Sequence, residues 1–229
     1  MSEAWRNNTV EAKNQLKDTD LVTFINPEGS PKFMFLGNSI TKHAPKEEIG
    51  WYGDYGMAAS CEENDYVHVM MSAIRKKHPN AAFCITQGYR WEAEYWNDSS
   101  YHYFEVARAF APDVLFFRIG DNVRYERLDE GHDLVAGTEA YLKFLSSPNT
   151  SIIYSTCFWT RKKVDDEFRK VAERAGKPIV ELGDLGDNPK MRAEGLFEHA
   201  GVAWHPGDEG MRCLAERLLA AWEAENASK

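Results

Sequence analysis

The chain has 229 residues, and one α/β domain of that size buries roughly 70% of the surface its unfolded form exposes. Its 36 acidic and 27 basic residues leave a net charge of −9, which disfavours phosphate backbones and anionic membranes, so neither nucleic acid nor membrane is expected as a partner. Residues 1–30 are polar, no apolar run reaches the ~18 residues of a membrane span, and the four cysteines are widely separated, a combination that predicts a cytoplasmic protein with free, buried thiols.

Strand and helix signals alternate after about residue 32. The apolar run Phe33-Met34-Phe35-Leu36 ends in Gly37-Asn38-Ser39, and a helix is expected over Met57–Lys77, its basic end Arg75-Lys76-Lys77 suiting a helix C-terminus. A second strand, Ala82–Gln87, ends at Gly88, and a helix over Tyr101–Phe110 leads to a third strand, Asp113–Ile119, which runs into Gly120-Asp121-Asn122. Glu139–Leu145 reads as helix and Ser151–Phe158 as the fourth strand. A helix over Lys163–Ala175, closed by Gly176, precedes a short fifth strand, Pro178–Leu182. The last helix carries Met211, Leu214, Leu218 and Trp222 as one apolar stripe. Five strands alternating with helices predict a three-layer α/β/α sandwich on a parallel sheet. Residues 1–229 are read as a single domain, with residues 1–31 as an N-terminal extension packed on it.

In such sheets the loops leaving the carboxyl ends of the strands form the ligand crevice, so Ser39 is a candidate site residue. A serine hydroxyl needs a base to take its proton and donors to hold an oxyanion. In chain order the candidates are Ser39, Gly88, Asn122 and His205, the first three each placed just after a strand and the last just ahead of the final helix. This order resembles the SGNH hydrolases, the GDSL esterase superfamily. Gly37-Asn38-Ser39 looks like that family's Gly-Asp-Ser block with Asn38 in place of the aspartate, Gly88 matches the second-block glycine, Gly120 and Asn122 match Gly-x-Asn, and His205 matches the last-block histidine.

The resemblance implies a flavodoxin-like sheet of five parallel strands in the order 2-1-3-4-5. It also implies Ser39 as nucleophile and His205 as base. The oxyanion hole would consist of the backbone N–H groups of Ser39 and Gly88 and the side-chain amide of Asn122. The chain departs from the family three residues before the histidine, where Val202 replaces an aspartate that would set the imidazole tautomer. A Ser39–His205 dyad supported by a main-chain carbonyl is expected instead, with Glu198 and Asp208 as alternative carboxylates. Asp208 also reads as the N-cap of the last helix, and Gly88 as a strand-end turn requiring positive φ.

Aromatics crowd the loops after Ser39 and Gly88. Trp51 and Trp91 are candidate sugar-stacking residues, although such rings also pack loops onto a domain body. None of the seven histidines lies in a His-Glu-x-x-His motif, so neither metal nor cofactor is expected. The resulting expectation is a serine esterase acting on small acyl esters, acetyl above all, of a carbohydrate or other small alcohol. A weakened site that only binds acylated glycans is the alternative, and a nucleotide-binding flavodoxin-like domain is disfavoured because no phosphate-cradling motif follows Phe35. Homo-oligomerisation is left open.

Overall fold

A computed structural model describes residues 16–227, and the part of the expected N-terminal extension at residues 1–15 lies outside them. The described chain builds a six-stranded sheet from β1 (Val22–Ile25), β2 (Lys32–Gly37), β3 (Ala82–Gln87), β4 (Val114–Phe117), β5 (Ser151–Ser155) and β6 (Ile179–Val180), in the order β1-β3-β2-β4-β5-β6. The pairs β2–β3, β2–β4, β4–β5 and β5–β6 are parallel. Those five strands alone follow the order 2-1-3-4-5 that the resemblance implies.

The count of five is corrected to six. β1 comes from the segment expected to be an extension and pairs antiparallel with β3, Val22 opposite Thr86 and Ile25 opposite Phe83. It is four residues long and only Val22 in it is fully buried, as suits an edge strand, and the short run Leu21-Val22-Thr23-Phe24-Ile25 marks it in the sequence.

Both faces of the sheet are covered, which is why its inner strands read as unbroken apolar runs. Successive residues of β2 alternate between two cores. Met34 and Leu36 join Cys84, Leu115 and Phe117 beneath Trp91, Phe104, Tyr141 and Phe168. Phe33 and Phe35 join Phe83 and Phe116 beneath Tyr66, Met70 and Ile74 of the Tyr66–Lys77 helix and Met211, Leu218 and Trp222 of the Asp208–Ala227 helix. The Phe35 and Phe116 rings stack with centroids 5.2 Å apart.

Capping moves several helix boundaries. The first long helix starts at Tyr66 rather than Met57 because the buried Asp65 carboxylate accepts from the His68 N–H at 2.7 Å and, at 2.9 Å, from the Gly56 N–H in the preceding loop. The helix that holds Glu139–Leu145 begins at Leu134, where Asp133 accepts from the Ala136 N–H. Tyr101–Phe104 forms a 3-10 turn ahead of a Glu105–Phe110 helix, and Lys162–Arg174 is helical with Gly176 in the left-handed conformation at φ 64°. Cys84 and Cys157 are buried and Cys61 and Cys213 half-buried, all four as free thiols. Among the described residues no helix is long and apolar enough to cross a membrane.

Candidate active site

β2 lies between β3 and β4, so the loops that leave their carboxyl ends are neighbours and bring Ser39, Gly88 and Asn122 to one edge of the sheet. The chain turns immediately after β2, where the Thr41 and Lys42 N–H groups both donate to the Asn38 carbonyl, and this turn lifts Ser39 out of the ladder. Its Oγ lies 2.8 Å from His205 Nε2.

His205 is presented by the segment joining a one-turn helix, Ala200–Ala203, to the Asp208–Ala227 helix. A helix end leaves carbonyls without intrahelical partners. One of them, Gly201 O, lies 2.7 Å from His205 Nδ1. A carbonyl only accepts, so Nδ1 carries the proton and Nε2 presents its lone pair to the serine hydroxyl. Burial pushes the imidazole pKa down to about 4, opposed by the Gly201 bond and the negative charge of Asp121. The Trp159 ring stands edge-on to the imidazole at 5.6 Å.

Neither alternative carboxylate contacts His205. The Asp208 carboxylate accepts from the Ser60 N–H and hydroxyl, at 2.8 and 2.7 Å, and from the Asn64 amide, and Asp208 is the first residue of its helix rather than the N-cap. Glu198 is exposed. Val202 is fully buried against Trp51, Met57, Ala58 and Ala193.

Two of the three expected oxyanion donors remain available. The Ser39 N–H donates to no group among the described residues. The Asn122 amide donates one hydrogen to Glu92 Oε2 at 2.7 Å and keeps a second. The Gly88 N–H is different: it donates to the Gly37 carbonyl at 2.6 Å, extending the β2–β3 ladder one step and removing it from the expected set in this conformation. Nor does Gly88 have positive φ, its value being −96°. A Cβ there would lie 2.5 Å from Ile119 Cδ1, so close packing is what glycine provides.

Beneath these groups lies a buried polar network. Asn38 donates to Glu92 Oε1 at 3.1 Å and to Asp121 Oδ2 at 2.8 Å, while its own Oδ1 accepts from Arg118 Nη2 at 2.6 Å. Arg118 also pairs with Asp121 at 2.6 Å, and Asp121 Oδ1 accepts from the Phe158 N–H. Burial raises the Glu92 pKa, partly offset by the donors around it.

The candidate nucleophile opens on a cavity of about 580 Å³ whose walls include Gln87, Tyr89, Lys42, Arg124 and Asn122. Trp51 and Trp91 do not line it. Trp91 is fully buried and stacked on Tyr141 at 5.1 Å, and Trp51 is 2% exposed, packed on Tyr55 and tied through its indole N–H to the His43 carbonyl. Both are core residues, which corrects the expectation that they meet substrate. Among the described residues no three His, Cys, Asp or Glu side chains converge as a metal site would require.

No family model and no curated protein matches the chain. Solved structures do. The acetylxylan esterase Axe2 of Geobacillus stearothermophilus superposes with a TM-score of 0.54 at 18% identity, over 84% of this chain and 94% of that one. LAE5, an α/β hydrolase from the metagenome of Lake Arreo in Spain, and a GDSL-like lipase from Parabacteroides merdae each give 0.53 at 20% identity, over 84% of this chain and 95% of theirs. The chain has the SGNH hydrolase fold.

On this SGNH scaffold Glu92, Arg118 and Trp159 lie outside the sequence blocks that mark the site. Arg118 carried a usable signal, since an arginine directly after the apolar run Val114–Phe117 needs a charged partner if it is buried, and Asp121 stands three residues on. Glu92 carried a weaker one, as an acidic residue directly after Trp91 in a segment otherwise rich in aromatic rings. Trp159 has none, because its contact with His205 is made only by folding.

Proposed function

We propose that this chain is a serine esterase that hydrolyses small acyl esters, acetyl esters of carbohydrates above all, through a Ser39–His205 dyad and an acyl-enzyme. One observation carries the reading: Ser39 Oγ lies 2.8 Å from His205 Nε2 while Gly201 O claims the other ring nitrogen, so the base faces the hydroxyl in the tautomer that accepts its proton.

In the proposed cycle Ser39 Oγ attacks the ester carbonyl as His205 Nε2 takes its hydrogen. In this cycle the Ser39 N–H and the second Asn122 amide hydrogen receive the charge that develops on the carbonyl oxygen. The imidazolium then protonates the departing alcohol. Water, activated by the same nitrogen, cleaves the acyl-enzyme and frees the serine. A carbonyl stabilises the imidazolium less than a carboxylate, so the transition state is held less tightly than in a full triad. The loss is nevertheless smaller than the ~10⁴ that follows from removing a triad aspartate, much of which reflects a wrong tautomer. The acetyl and carbohydrate assignments draw on the likeness to Axe2, an acetylxylan esterase.

A second reading, a catalytically weakened protein that binds acylated glycans, is favoured by the engaged Gly88 N–H and by the absence of a carboxylate on His205 among the described residues. Hydrolysis of p-nitrophenyl acyl esters and acetylated xylooligosaccharides separates the two readings. The esterase turns over acetyl substrates and Ser39→Ala abolishes turnover. Activity that survives this substitution, or binding without turnover by the wild type, rules out the dyad.

A further inference from the structure

We propose that Glu92 is the positioning residue that orients the Asn122 side chain as an oxyanion donor, an inference that rests on the esterase reading above. Glu92 sits on the short Tyr89–Ala93 helix after β3, and its carboxylate bonds the loop that follows β4. Its Oε1 accepts from the Gly120 N–H at 2.8 Å, the Asn122 N–H at 3.2 Å and the Asn38 amide at 3.1 Å, and its Oε2 accepts from Asn122 Nδ2 at 2.7 Å. Four N–H donors converge on a side chain that is 1% exposed, and this suits the ionised, acceptor-only form.

The assignment of the Asn122 amide follows from this contact. An amide oxygen and nitrogen are ordinarily distinguished only by their partners, but a carboxylate accepts and never donates, so the Asn122 atom facing it is the nitrogen. One amide hydrogen is held by Glu92, and the other is left for the cavity that Asn122 lines. The same carboxylate fixes the backbone of residues 120 and 122, so both the position and the rotation of the donor depend on it. It also joins Asn38, next to Ser39, to Asn122, which locks the nucleophile loop to the donor loop.

Glu92→Gln tests this with little change of shape. The three donors at Oε1 keep the new amide oxygen there, so the new NH2 group meets the Asn122 NH2. The clash is relieved when the Asn122 amide turns over, and that places its oxygen where a donor is needed. Loss of one oxyanion donor costs about 10²–10³ in kcat, so Glu92→Gln is expected to lower kcat by that order with KM changed less than about threefold. Asn122→Ala should give a similar loss, and the double variant should be no slower than Asn122→Ala alone, because the two residues act as one unit. A kcat within about threefold of wild type, or losses that multiply in the double variant as a general structural role would give, overturns the proposal.

Amide NMR of the 15N-labelled wild type supplies a readout independent of activity and of whether Glu92→Gln folds. One Asn122 side-chain proton should be shifted downfield and protected from exchange, and an averaged, unprotected pair overturns the proposal. If the wild type hydrolyses no ester, the esterase reading fails, and this spectrum still tests the Glu92 contact.

Discussion

The family's aspartate should be harmful if restored at position 38. Asn38 uses both amide hydrogens on carboxylates, one on Glu92 and one on Asp121, and both of those acids are buried. Asn38→Asp is nearly isosteric but removes both donors, each in a hydrogen bond to a charged group worth roughly 1.5–3 kcal/mol, so the expected loss is about 3–6 kcal/mol. Arg118 offsets part of this, since its Nη2 already donates to the oxygen at position 38, but it would then be one positive charge among three carboxylates. The penalty depends on pH in a definite direction. The new carboxyl, surrounded by like charge, has a folded-state pKa above the ~3.9 of the unfolded chain, so the folded variant binds the extra proton and its destabilisation deepens as pH rises through the folded pKa. Urea denaturation of both proteins at pH 5 and pH 8 measures this. A lower midpoint for the variant, with the larger gap at pH 8, is expected. Equal midpoints, or a larger gap at pH 5, would mean that Asn38 does not hold two ionised acids apart.

Three further outcomes follow. A base must be neutral to accept a proton, so activity is present above the His205 pKa and falls as pH drops through it; with that pKa near 4, kcat/KM should hold down to about pH 5. Because Glu92 is also raised by burial, the His205 Hε1 resonance should be titrated alongside the rate, and a midpoint at or above ~6.5 contradicts the reading. Val202→Asp, which rebuilds the family's acid in the sequence, should lower stability by at least about 2 kcal/mol without raising kcat, because the position faces an apolar cluster; a gain in turnover would refute this. Glu198→Gln and Asp208→Asn should each lower kcat less than about tenfold, and a thousandfold loss in either would expose a third member of the triad.

What was legible in the sequence and what was not divide along physical lines. The five parallel strands were visible because strands buried on both faces are continuous apolar runs, and the site loops because each run stops at a small residue beside a polar one: Gly37 before Asn38, Gly88, and Gly120 before Asp121. β1 reads as part of an extension because its run, Leu21-Val22-Thr23-Phe24-Ile25, is short and set among polar residues. The Tyr66 helix start is hidden in the sequence because its cap, Asp65, lies within a polar string whose earlier members form the loop. Trp51 and Trp91 read as site residues because an indole in a loop has the same spacing whether it packs inward or faces solvent. The carbonyl at Nδ1 was anticipated from the absence of an acid at 202, and folding supplies its owner, Gly201. The Gly88 N–H reveals its partner only in three dimensions, as it depends on how far the β2–β3 ladder runs.

Covalent capture of the nucleophile tests the central claim most directly. Treatment with a fluorophosphonate, followed by peptide mass spectrometry, should place a single adduct on Ser39 in the wild type. Ser39→Ala should show no adduct, and His205→Ala should label at least about a hundredfold more slowly. Labelling of another serine, or equal labelling rates with and without the imidazole, would contradict a Ser39–His205 pair that carries out ester hydrolysis.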